Sequence, residues 1–243
     1  GAHLPELAEK FLGKSMRHIV NAFALLLLVL VGTVFVSAPG QLLYDLMGGK
    51  VGMAIIVAVI FIYYVLATLL PIDKIIGRFY PLFGLLLVIS AIGIGVGLIV
   101  TGEASNIPEL TLENLHPGGL AIFPLLFLTI SCGALSGFHA TQSPIISRTT
   151  QNEGHGRKIF YGMMIAEGII AMIWAAAAMA MFYTPGGEFG AGLQAVLKEG
   201  GPALVVSKVA VMMLGGFGGT IAILGVIILP ITSGDTAFRS ARM

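Results

Sequence analysis

Six times along the chain, about twenty consecutive residues pass with almost no charge: near 18–36, 51–70, 80–100, 119–138, 159–182 and 203–230. A helix needs about 20 mostly apolar residues to cross roughly 30 Å of hydrocarbon. In lipid its backbone N–H and C=O groups must be bonded within the segment, which leaves little besides a helix. The pattern predicts an all-α polytopic membrane protein with about six transmembrane helices, forming one domain over residues 1–243. Charged residues make up only 10% of the sequence and hydrophobic ones 57%, whereas a soluble domain carries roughly 25% charged residues. A soluble enzyme, a disordered chain and a coiled coil are excluded on that ground. A net charge of +1 offers no basic stripe, so no nucleic-acid partner is expected. The lone cysteine, Cys132, lies inside an apolar run and cannot form an internal disulfide. No cleavable apolar signal opens the chain, and both ends read as cuts through a longer protein.

Orientation follows from Lys and Arg in the segments between spans. Lys10, Lys14, Arg17, Lys74, Arg78, Arg148, Arg157, Lys158, Arg239 and Arg242 fall in alternate segments, against Lys50 and Lys198 in the others. Ten against two predicts a multi-pass protein with both ends of this chain in the cytoplasm.

Ionisable groups inside a span point to function unless something simpler explains them. Glu167 lies well inside 159–182, where it can bind a cation, carry a proton, or simply fasten two helices. Lys208 stands close enough to the start of its stretch to snorkel to the interface. The glycines 93, 95 and 97 and the alanines 175–178 read as packing faces. Gly215-Gly216-Phe217-Gly218-Gly219 either breaks the sixth stretch or lets a neighbour approach it. Thr232-Ser233-Gly234-Asp235-Thr236 is an oxygen-rich cluster that either holds a small cation or caps a helix.

The fourth stretch ends Ser136-Gly137-Phe138-His139-Ala140-Thr141-Gln142-Ser143-Pro144. Small and polar residues replace aliphatic ones there with no charge until Arg148. Ser143 suits an N-cap and Pro144 a first helical position. The expectation is a helix, an unwound stretch near 136–142, and a second short helix continuing to about 150. Broken helices of this kind build substrate sites in secondary transporters. The alternative is that the span ends and 136–142 is an ordinary cytoplasmic loop. Enzyme signatures are missing. Gly13-Lys14-Ser15 resembles the end of a phosphate loop, but Ala8 stands where its first Gly belongs. No His/Cys cluster has metal-ligand spacing, and no cofactor or catalytic residue is assigned.

The segment Ser136–Pro144 resembles the carbon starvation A (CstA) family of bacterial inner-membrane transporters. Residues 5–14, 70–78 and 232–239 agree with that likeness. The resemblance implies a secondary active transporter of peptides, or of small carboxylates such as pyruvate, used in the carbon-starvation response. It further implies part of an inverted-repeat, LeuT-like fold, in which the stretch 119–138 is a broken core helix. On that reading Ser136, Gly137, His139, Thr141, Gln142 and Ser143 bind substrate. Glu167, Thr232, Ser233 and Asp235 couple transport to H+ or Na+, with His139 titrating near neutral pH. The competing reading is a non-transporting membrane sensor or scaffold of the starvation response.

Overall fold

The computed structural model describes residues 3–69, 80–107, 109, 114, 119–133, 137–182 and 191–242. The described residues are helical, with no strand among them. In chain order the helices are α1 (Leu4–Leu12), α2 (Lys14–Leu46), α3 (Met53–Leu69), α4 (Tyr80–Val100), α5 (Ile122–Gly133), α6 (Gly137–Thr149), α7 (Met163–Phe182) and α8 (Ala191–Arg242). Four described stretches are long and apolar enough to cross a bilayer: Lys14–Leu46, Pro81–Val100, Glu153–Phe182 and Gly192–Phe238. The shorter α3 adds 17 apolar residues, about 25 Å of helix at 1.5 Å per residue.

Helices α2, α3 and the last part of α8 pack around one aromatic pair. Pro39 lies inside α2 and has no N–H, so the carbonyl four residues earlier loses its helical partner. That carbonyl belongs to Phe35. The Tyr64 hydroxyl of α3 donates to it at 2.9 Å, and also reaches Pro230 O of α8 at 3.3 Å. Tyr64 is 1% exposed. Its ring meets Phe238 with centroids 5.1 Å apart and planes tilted by 51°. Gly32 makes this approach possible, because a Cβ there would stand 2.5 Å from the Phe238 ring. Gly234 is pressed against Tyr64 in the same way. Three helices thus meet where small residues admit two rings, and a side chain replaces the backbone donor that proline removed.

The second core joins α4, α7 and α8 through Ile94, Leu98, Ala177, Ala180, Val209 and Met213. The glycine and alanine runs act here as packing faces. A Cβ on Gly93 would lie 2.6 Å from Leu214, one on Gly97 2.8 Å from Met213 O, and one on Gly95 would touch Ile173 at 3.7 Å.

Two features of the sequence reading change. The stretch 203–230 is continuous in hydropathy, yet α8 is interrupted within it. Gly215 has φ 70° and ψ 178°, and Gly200 and Gly201 form an earlier break just before Pro202. A Cβ on Gly219 would lie 2.8 Å from Val211 Cα, although eight residues of straight helix span about 12 Å. The chain therefore bends sharply at Gly215, so that 202–214 and 216–242 are separate helical pieces. Of the two readings left open for the 215–219 glycines, the break is the one seen at Gly215, whose left-handed φ hydropathy does not register. The second change concerns Ser143 and Pro144. They do not open a helix; α6 starts at Gly137 and carries Pro144 in its interior. The Ser143 hydroxyl donates to His139 O one turn back, at 2.8 Å, as hydroxyl side chains in mid-helix do. The expected unwound stretch 136–142 is helical from Gly137 onward, and Ser136 lies outside the described residues.

Candidate functional site

Helix α6 presents its polar residues in three directions, because successive helical positions are about 100° apart. His139 is directed at α7, where its Nε2 stands 3.6 Å from Glu167 Oε2. The two side chains are 35% and 49% exposed, so the pair is half open to its surroundings. The sequence marked each residue separately, one as a substrate ligand and one as a proton carrier. The fold brings them together. At 3.6 Å the contact is an ion pair when the imidazole is protonated; it is too long for a strong hydrogen bond.

Gln142 faces α8. It is 5% exposed, and its Nε2 donates to Ser240 Oγ at 2.8 Å. Ser240 Oγ donates in turn to Thr236 O at 2.8 Å, and Thr236 Oγ1 donates to Thr232 O at 3.2 Å. A ladder of hydroxyls along one face of α8 thus ends on the α6 amide. Gln142 Oε1 is buried and has no hydrogen-bond partner among the described residues. A buried acceptor left unpaired costs about 1–3 kcal/mol. An acceptor of this kind favours any conformation or ligand that supplies a donor.

The third direction is taken by Thr141 and Ile145. They line a cavity of about 310 Å³ together with the first turn of α1, the α2 positions Arg17, Asn21, Ala24, Leu25 and Leu28, and Ser240 and Ala241 of α8. Of these lining residues, Arg17 donates to Glu9 Oε2 at 2.7 Å. The Glu6 carboxylate accepts the His3 backbone N–H at 2.9 Å. That bond holds Glu6 below the usual carboxylate range, with weaker attractions from His3, Arg148 and Arg17.

The oxygen-rich segment of α8 does not cap a helix, since the helix runs on to Arg242. Thr232 Oγ1 donates to Leu229 O at 2.8 Å, so it and Thr236 turn their hydroxyls onto their own backbone. Ser233 is half-buried beside them, and Asp235 is 2% exposed. Among the described residues no group of three or more His, Cys, Asp or Glu side chains is placed to hold a metal ion. Lys208 reaches Glu199 at 3.0 Å across the Gly200–Gly201 break, with both side chains well exposed.

Sequence reasoning did not single out Tyr64, Arg17, Asn21 or Glu6. For Tyr64 a signal existed: a proline at 39 implies a stranded carbonyl at 35, which needs a donor from elsewhere. The cavity residues gave none, because their meeting depends on how α1, α2, α6 and α8 assemble.

A family model described as carbon starvation protein CstA matches residues 7–198. A Haemophilus influenzae protein described as an uncharacterized membrane protein is 42% identical over 235 residues, covering 76% of this chain and 63% of that relative. The peptide transporter CstA of Escherichia coli is 35% identical over 126 residues, 50% of this chain and 18% of its own. The pyruvate/proton symporter BtsT of the same organism is 37% identical over 86 residues, 34% of this chain and 12% of its own. The chain therefore spans less than two thirds of the length of each of these relatives. No solved structure matches it.

Proposed function

The chain belongs to the carbon starvation protein CstA family, and from that premise we propose that it forms a segment of a secondary active transporter. The cargo is a peptide or a small carboxylate such as pyruvate, moved across the bacterial inner membrane in the carbon-starvation response. Both ends of this chain lie in the cytoplasm, as the ten-to-two distribution of Lys and Arg favours.

The observation that carries this reading is the His139–Glu167 contact. An imidazole and a carboxylate 3.6 Å apart attract each other as a charged pair and lose that attraction when the carboxylate takes a further proton. Proton binding then frees α6 from α7 on that face. Because α6 also holds Ser240 through Gln142, the release is felt by α8. A proton is the coupling ion in this scheme, in keeping with the likeness to a pyruvate/proton symporter. Thr141 and Gln142 contribute neutral polar groups that meet substrate, His139 links that site to protonation, and Gly137 lets the backbone enter α6 without a side chain in the way.

The test is uptake into proteoliposomes by the whole protein that carries this chain, with labelled peptide and labelled pyruvate. An inward proton gradient should drive accumulation, and His139→Gln or Glu167→Gln should abolish the drive while leaving counterflow. Neither accumulation nor counterflow of either solute in the unaltered protein would favour the sensor or scaffold reading instead.

A further inference from the structure

The cavity between α1, α2, α6 and α8 lies on a different side of α6 from the His139–Glu167 pair, and its lining has a chemistry of its own. At about 310 Å³ it falls at the lower end of the usual range for small-molecule pockets. Its walls divide by polarity. Ala24, Leu25 and Leu28 of α2 form an apolar side, whereas Arg17, Asn21, Thr141 and Ser240 supply polar groups. Two charges of opposite sign, Arg17 and Glu6, belong to its lining. Arg17 spends one guanidinium nitrogen on Glu9, which leaves other N–H donors of its planar fork available for a carboxylate. Glu6 spends one oxygen on the His3 N–H and remains ionised, since that bond favours the carboxylate form. A simple anion would also meet Glu6 and be repelled. A simple cation would meet Arg17.

We propose that this cavity is a binding site for a small zwitterion, a solute with a free ammonium and a free carboxylate, separate from the proton-carrying pair. Arg17 takes the carboxylate, Glu6 takes the ammonium, and Asn21 and Thr141 bond the polar groups between them. The α2 wall accommodates a short aliphatic side chain. Occupancy of the cavity does not depend on whether the His139–Glu167 pair moves protons, so the two proposals can fail separately.

The experiment is isothermal titration of the purified full-length protein in detergent with dialanine, pyruvate and ethylamine in turn. Dialanine should bind, and pyruvate and ethylamine should each bind at least about tenfold more weakly, the loss expected when one charge-assisted contact is missing. Glu6→Gln should narrow the margin of dialanine over pyruvate, and Arg17→Gln the margin over ethylamine. Because Arg17→Gln also breaks the contact to Glu9, Ala24→Leu serves as a second variant that fills the cavity and leaves every charge in place. It should abolish dialanine binding with an unchanged helical circular dichroism spectrum. Equal affinity for all three solutes, or full dialanine affinity in Ala24→Leu, overturns the assignment. His139→Gln should keep dialanine binding while losing proton-driven uptake. Loss of that binding in His139→Gln would show that the zwitterion sits at the pair and not in the cavity.

Discussion

The junction around Tyr64 and the junction around α6 solve opposite problems with similar means. At Tyr64 a helix has lost a backbone donor to Pro39, and a hydroxyl from a neighbouring helix fills the gap inside a nearly sealed contact. Glycines at 32 and 234 let the rings in. At α6 the helix carries more polar groups than its own backbone requires. His139, Gln142 and Thr141 each look toward a different neighbour, and the His139–Glu167 contact remains half exposed. The first junction spends polarity on closing a structure. The second leaves the Gln142 Oε1 acceptor without a partner among the described residues, in the manner of a site that must exchange partners.

Overpacking should separate the two most sharply. Gly32→Leu drives a branched side chain into the Phe238 ring and should cost about 1–3 kcal/mol, read as a lowered Tm in detergent. Leucine at Gly168, where a Cβ meets nothing within 4 Å, should cost far less. A Tm loss at 168 equal to that at 32 would erase the distinction.

Next comes Tyr64→Phe, which keeps the ring and removes the hydroxyl. The Phe35 carbonyl is then buried without its donor, at a cost of about 1–2 kcal/mol. Faster hydrogen exchange near 35–40, with α6 unaffected, is the expected pattern. His139→Gln works in the reverse sense. Proton-driven uptake should fall about tenfold or more, equivalent to about 1.4 kcal/mol, while thermal stability stays within about 0.5 kcal/mol, as for exposed positions generally. A large stability loss in this variant would make the pair a fastener.

The smallest effect concerns Glu6. Its carboxyl titrates lower in the folded chain than in the unfolded one, because it accepts the His3 N–H. Its contribution to closing the first turn of α1 is therefore fully present above the ordinary carboxylate range and is lost as pH falls through the lowered value. Protease protection of residues 3–12 should hold down to about pH 4 and weaken below it, and Glu6→Gln should flatten that dependence.

These contrasts also explain what could be read in advance. Helices α2, α3, α4 and α7 lie over apolar stretches that length and hydropathy pick out directly, since a lipid-facing helix is defined by composition along one segment. The glycines of α4 announced their role because only close approach rewards three glycines within five residues. The glycine run at 215–219 left a break and a close approach both open, because hydropathy there is the same as in its neighbours and only the backbone at Gly215 decides. The start of α6 was misplaced because Ser143 and Pro144 have two local uses, and the hydroxyl bond to His139 O decides between them. His139 and Glu167 were each marked by their chemistry, but their meeting is long-range. The cavity was invisible for the same reason: four helices contribute to it, and none carries its signature alone.

The bond from Tyr64 to the Phe35 carbonyl has a mechanical consequence. A proline within a long helix usually supplies a flexure, a place where two rigid rods can swing. Here the missing strut at Pro39 is replaced from outside, and the same hydroxyl is pinned to Pro230 O. Bending α2 at that point would have to tear α3 and the end of α8 along with it. Helices α2, α3 and residues 216–242 consequently form a chassis that moves as one piece.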